Sequence, residues 1–153
     1  MEMQSEKKRP MLLAPAFRQA IWGGVRLRSD WGKQTDCAPL AESWELSCHE
    51  AGPSTIMAGE WAGRTLAQYL EKHPQDVGTK AENAGDFPLL IKLIDAAGPL
   101  SVQVHPDDDY ARRVEHGLGK TEMWYVLEAD EGAGIYYGFK RKTSLEEMKA
   151  AIA

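Results

Sequence analysis

Leu100-Ser101-Val102-Gln103-Val104-His105-Pro106 alternates apolar and polar residues at period two and closes on a proline. A strand of this kind sets Ser101, Gln103 and His105 on one face and Leu100, Val102 and Val104 on the other. With the valine face packed into the body of the protein, the polar face would present an amide oxygen and an imidazole about 6 to 7 Å apart along the strand. That separation lets both reach one ion from two sides. Taken alone, the segment also reads as an exposed strand face with a surface histidine.

The next strand shifts that balance. In Gly119-Lys120-Thr121-Glu122-Met123-Trp124-Tyr125-Val126-Leu127, the same alternation places Lys120, Glu122 and Trp124 on one face. From Met123 onward both faces are apolar, so the strand is predicted to be buried on both sides. A buried carboxylate at Glu122 then needs a cation or hydrogen-bond donor to offset its desolvation, and either a metal ion or Lys120 would serve. Upstream, Phe87-Pro88-Leu89-Leu90-Ile91-Lys92-Leu93-Ile94-Asp95 carries a single lysine in an otherwise aliphatic strand. Such a lysine meets an anion or extends to solvent. Lysines, an imidazole, a carboxylate and a hydroxyl together suit a small, phosphorylated, oxygen-rich substrate.

Working outward, strands are predicted at Phe87 to Asp95, Leu100 to His105, Glu122 to Leu127 and Gly134 to Gly138, separated by loops carrying Gly, Pro or Asp. Earlier, Ile21-Trp22-Gly23-Gly24 marks a tight turn, Trp44 to His49 alternates as a half-buried strand, and Ser54 to Met57 forms a second short one. Thr65 to Lys72 reads as a short helix capped by Thr65 and ended before Pro74, and 75–86 as a surface loop. Ser144 followed by Glu147 is a capping-box signal for a last helix. The pattern predicts a mainly β chain, an antiparallel barrel or sandwich with short helices.

Composition fits one globular domain, with 153 residues of which 43% are hydrophobic. A net charge of −5, with 23 acidic and 18 basic residues and no basic face, gives no electrostatic reason to expect nucleic acid as a partner. No long apolar segment suggests a signal peptide or membrane span. Cys37 and Cys48 match no zinc-knuckle spacing and fit a reduced, cytoplasmic chain.

Ser101-Val102-Gln103-Val104-His105-Pro106, followed by Gly119-Lys120-Thr121-Glu122-Met123-Trp124-Tyr125, resembles the metal-binding core of type I, zinc-dependent mannose-6-phosphate isomerases of the cupin superfamily. Ile21-Trp22-Gly23-Gly24, Ala41-Glu42-Ser43-Trp44-Glu45-Leu46-Ser47 and Phe87-Pro88-Leu89-Leu90-Ile91-Lys92 precede it in the family's order, and the set is most similar to the shorter bacterial branch. The resemblance implies a cupin-like jelly roll that interconverts mannose 6-phosphate and fructose 6-phosphate. It implies one Zn2+ per chain held by Gln103, His105 and Glu122. It further implies a sugar-phosphate pocket lined by Ser101, Lys92 and Trp22, with Lys120 and Glu42 as candidates for moving the proton. His49, His73 and His116 are expected outside the site.

The resemblance also implies that the barrel and site are incomplete at the C-terminus. The family's later strands supply one more histidine ligand and an arginine assigned to catalysis, and no residue after Glu122 matches either. Residues 1–9 are then a loose leader, 10–143 the N-terminal part of a cupin-type isomerase domain, and 144–153 the start of a helix. Two alternatives to a working isomerase follow. One is a truncated cupin that binds metal or sugar phosphate without turnover. The other is a subunit completed by another chain, as a homo-oligomer or with a missing C-terminal half.

Overall fold

The computed structural model describes residues 10–78, 87 and 89–153. The expected leader at 1–9 and most of the expected loop at 75–86 lie outside the described residues. The chain divides into two compact units, Met1–Leu100 and Ser101–Ala153.

The first unit runs β1 (Leu13–Ala14), β2 (Ala16–Gly24), α1 (Arg26–Ser29), β3 (Leu40–Leu46), β4 (Thr55–Ile56), α2 (Leu66–Lys72) and β5 (Ile91–Ile94). Antiparallel ladders join β1 to β4, and β2 and β5 to either side of β3. Strand β3 is therefore central, and Leu40, Ala41 and Ser43 along it are buried. Strand β3 begins earlier than the alternation of Trp44 to His49 predicts, because Leu40 and Glu42 pair with β2 and β5, and it ends at Leu46, because the chain turns back at Ser47. There the Ser54 amide donates to the Ser47 carbonyl at 2.8 Å, and the Ser54 hydroxyl accepts from the Ser47 amide at 2.9 Å.

The predicted turn at Ile21-Trp22-Gly23-Gly24 is instead the end of β2. Gln19 and Gly24 both register with Leu40, so four residues leave the ladder between them as a large bulge. Its exit is pinned on one side by Asp95, whose carbonyl accepts from the Gly24 amide at 3.1 Å and whose Oδ2 accepts from the Arg26 amide at 2.6 Å. On the other side, a Cβ at Gly23 would lie 2.8 Å from the Ala41 nitrogen, so glycine is what lets the bulge close on β3. Helix α2 carries both bonds of a capping box: Thr65 Oγ1 accepts from the Gln68 amide at 3.2 Å, and Gln68 Oε1 from the Thr65 amide at 3.0 Å. Leu66 and Leu70, one turn apart, bury its inner face.

The second unit contains α3 (Asp108–Tyr110), which continues into one π-helical turn at Ala111–Glu115, and α4 (Leu145–Ile152). Helix α4 has the predicted capping box between Ser144 and Glu147. The strands predicted at Leu100 to His105, Glu122 to Leu127 and Gly134 to Gly138 are not laddered. Alternation fixes the side of the backbone each residue takes, but a strand exists only through hydrogen bonds to a neighbour. Among the described residues none provides that ladder. Val102, Val104, Met123 and Tyr125 stand 81 to 88% exposed, so the two-sided burial predicted after Glu122 is not observed. The two segments meet where the Lys120 amide donates to the Pro106 carbonyl at 3.2 Å.

Gly23→Ala should force the bulge away from β3 and lower stability by about 1–3 kcal/mol, the range for overpacking a tight site. Gly134→Ala, whose added methyl meets open space, should change it by less than about 0.5 kcal/mol. Urea unfolding midpoints would separate the two.

Candidate functional site

Within the second unit, the chain leaves His105 and Pro106, forms a short helical turn, and returns at Gly119. Asp107 caps that turn by accepting from the Tyr110 amide at 2.8 Å. Asp108 Oδ1 accepts from the Gly119 amide at 2.9 Å and draws the returning segment inward. His116 ends the turn in the left-handed region at φ 56° and is exposed, as the reading of a solvated loop histidine expects. A π turn lies within the loop between His105 and Glu122, and such turns are frequent at functional sites.

His105 Nε2 and Glu122 Oε2 lie 2.9 Å apart, and Lys120 Nζ lies 3.7 Å from Glu122 Oε1. The Glu122 side chain is about a quarter exposed. Partial burial pushes its pKa up, but hydrogen bonds from Trp124 and His105, with the charges of Lys120 and His105, outweigh this and hold the carboxyl below its ordinary value. The predicted ligand pair is thus a fixed carboxylate facing an imidazole, with an ammonium on the carboxylate's other oxygen. Ser101 and Gln103 are exposed, and among the described residues neither side chain is tied to this group. Among the described residues no third His, Cys, Asp or Glu completes a metal-binding cluster with His105 and Glu122.

Within the first unit, β3 and β5 present a second group. Glu42 and Trp44 share a face of β3, and Lys92 on β5 registers with Trp44. Lys92 Nζ lies 3.0 Å from Glu42 Oε1, while the Trp44 indole donates to Glu42 Oε2 at 2.6 Å. Both charged side chains are at most one-fifth exposed, so each needs the other to offset lost solvation. The lone lysine of the aliphatic strand has therefore met an anion, as its setting predicts. Trp22 sits in the β2 bulge, and its carbonyl accepts from the Ala97 and Gly98 amides at 2.8 and 3.2 Å.

Sequence reasoning passed over Trp44 and Trp124 as functional residues. Each lies two positions after a glutamate: the Trp44 indole donates to Glu42, and Trp124 is among the groups that lower the Glu122 pKa. Glu-x-Trp occurring at both groups was the signal that could have found them.

Because the Glu122 pKa is lowered by folding, the ionised carboxylate stabilises the fold above the ordinary carboxylate range. That contribution is lost as pH falls through the lowered value. Trp124→Phe removes one donor, so the Glu122 carboxyl should titrate at higher pH than in the parent chain. Carbon NMR titration of the side chain would measure the shift.

The family profile described as phosphomannose isomerase type I, catalytic domain, matches residues 11–132. The chain is 42% identical over 144 residues to a probable mannose-6-phosphate isomerase, GmuF, of Bacillus subtilis, and 42% identical over 144 residues to the mannose-6-phosphate isomerase of Streptococcus mutans. Each alignment covers 94% of this chain and 45% of the relative, so the chain spans under half the length of these relatives. The crystal structure of a mannose 6-phosphate isomerase from Bacillus subtilis aligns with a TM-score of 0.75 at 41% identity, over 82% of this chain and 40% of that one. The mainly β, antiparallel architecture predicted for a cupin-type chain is shared with that enzyme. On the profile match, these identities and the shared fold, the chain belongs to the type I phosphomannose isomerase family.

Proposed function

We propose that this chain carries part of the catalytic site of an aldose-ketose isomerase that interconverts mannose 6-phosphate and fructose 6-phosphate. The observation that carries the reading is the convergence of His105, Glu122 and Lys120, within a chain whose relatives bear the isomerase name. His105 and Glu122 fit a divalent ion by donor chemistry. Two donors each about 2.0–2.2 Å from one ion sit roughly 3 to 3.5 Å apart, close to the 2.9 Å between them here. Gln103 would be the third protein ligand, one zinc ion being held per chain. When bound, the ion would supply Lewis-acid stabilisation of negative charge developing on the substrate oxygens.

The remaining roles fall to the chain's own side chains. Lys92 and Ser101 would bind the phosphorylated end of the sugar and Trp22 its carbon face. Lys120 and Glu42 would be the candidates for moving the proton between C1 and C2. Of the two, Glu42 has both oxygens engaged, by Lys92 and Trp44, whereas the Lys120 ammonium is 44% exposed at its looser 3.7 Å contact. Lys120 is therefore the more available for proton transfer. The two free cysteines suit a cytoplasmic setting, and no helix among the described residues is long and apolar enough to cross a membrane.

A second reading is favoured by the uncovered apolar residues on 101–105 and 122–127. In it, strands from another chain or a second copy pair with these segments, and turnover requires that completion.

Glu122→Ala should weaken zinc binding at least about tenfold, whereas the exposed loop variant His116→Ala should leave it unchanged. Competition with a chromogenic chelator measures both, and equal losses would remove Glu122 from the metal site. A coupled assay for fructose 6-phosphate formed from mannose 6-phosphate tests the function itself. Turnover by the zinc-loaded chain that disappears in Glu122→Ala supports the first reading. Binding of mannose 6-phosphate without product supports the second, and absence of both binding and product removes the isomerase reading for this chain.

A further inference from the structure

The Glu42–Lys92 pair is built on a tryptophan that is itself gripped from several sides. The guanidinium of Arg18, opposite Glu42 in the β2–β3 ladder, lies 4.4 Å from the centroid of the Trp44 ring. The His49 ring meets Trp44 edge-on, with centroids 5.7 Å apart and planes at 81°. His49 is itself held, because its Nδ1 accepts from the Ala51 amide at 3.0 Å and its own amide donates to the Ser47 hydroxyl at 3.1 Å. Gly52 is buried in the same turn, its amide donating to the His49 carbonyl at 2.9 Å. A side chain at Gly52 would collide with Arg18 Nη2 and with the Trp44 ring at 2.9 Å. Arg18 Nη1 donates to the Phe17 carbonyl at 3.2 Å, while Nη2 is buried and makes no hydrogen bond among the described residues.

A buried guanidinium nitrogen without a partner is costly, so its place against the ring and Gly52 needs a compensating role. We infer that Arg18, His49 and Gly52 form a clamp on the Trp44 indole, and that they are positioning residues which aim Glu42 and, through it, Lys92 at the phosphate of the substrate. The clamp fixes the ring plane, the ring fixes the direction of the indole N–H, and that donor occupies Glu42 Oε2. Oε1 is then left facing Lys92, and the ammonium is drawn to one place on the sheet face. A cation stacked on an aromatic ring and a charge-assisted hydrogen bond both depend steeply on orientation, so a small rotation of Trp44 releases both. The functional weight of this clamp rests on the reading of Glu42 and Lys92 as site residues given above.

The test uses the full chain and two readouts that do not depend on turnover: solvent exchange of the Trp44 indole proton by NMR, and acetylation of Lys92 by acetic anhydride followed by mass spectrometry. Arg18→Ala and Gly52→Ala should each speed both by about tenfold or more, the factor a charge-assisted hydrogen bond contributes. Trp44→Phe keeps a ring for Arg18 to stack on but removes the donor, and it should expose Lys92 to acetylation to the same degree. Arg18→Lys keeps the charge but not the planar stack and should not restore protection. The Trp61 indole, packed against Tyr69 and His73, serves as the internal control for the fold. Unchanged Trp44 exchange and Lys92 labelling in Arg18→Ala would overturn the clamp. So would equal acceleration at Trp61, which marks general loosening.

In the isomerase assay the clamp variants should raise KM for mannose 6-phosphate by about tenfold with a smaller change in kcat. A fall in kcat at constant KM marks loss of folded enzyme and counts against positioning. A parent chain that binds no mannose 6-phosphate, with indole and lysine readouts as expected, would remove the functional reading and leave the clamp standing.

Discussion

The first unit depends on one strand being paired on both edges. Strand β3 receives β2 on one side and β5 on the other, and Arg18, Glu42, Trp44 and Lys92 are placed by their register across those ladders. Because side chains alternate, Ala41 and Ser43 can be buried on one face of β3 while Glu42 and Trp44 share the other with Arg18 and Lys92. A slip of one residue would exchange the faces, burying the carboxylate without its lysine and exposing apolar atoms. The ladder therefore secures core and candidate site by the same hydrogen bonds, and neither can be altered alone.

The two glutamate groups solve one physical problem in the same way. A carboxylate drawn partly out of water must keep its charge, and in both places one oxygen or the group as a whole is held by an indole while a lysine stands nearby. Indole N–H is a donor without acceptor capacity, so it orients a carboxylate without competing for its proton. Glu122 adds His105, and that difference separates a potential metal-binding edge from a purely ionic pair. Trp44 thus orients the Glu42 carboxylate as much as Lys92 does.

Much of this was legible in the sequence because it is local. Thr65 and Ser144 begin helices because a hydroxyl three residues before an amide-bearing or acidic side chain closes two orphan bonds at once. Period two was enough to align Lys120, Glu122 and Trp124, and a lysine among aliphatics was enough to expect an anion, which proved to be Glu42. What failed was non-local. The alternation of Leu100 to His105 and Glu122 to Leu127 specifies faces, yet no pattern within a segment says which strand will pair with it, and these two are not laddered. The Trp22 segment read as a turn because two glycines follow it. Their place in β2 follows from the register with Leu40 and the anchoring at Asp95, more than fifty residues away in sequence. Arg18 carried no signal at all, since its partners lie on another strand and in the turn that follows it.

The bulge in β2 has an evolutionary side. Gln19 and Gly24 meet the same partner residue, so the strand resumes as though the intervening residues had never been inserted. The β2–β3 ladder on either side forms without the residues of the detour. The detour is itself tethered, because the Trp22 carbonyl accepts from the Ala97 and Gly98 amides while Gly23 and Asp95 hold its exit. A descendant chain could exchange the Ile21 side chain, 99% exposed at the tip of the detour, at little structural cost, whereas Trp22 is inherited with the framework that holds its backbone.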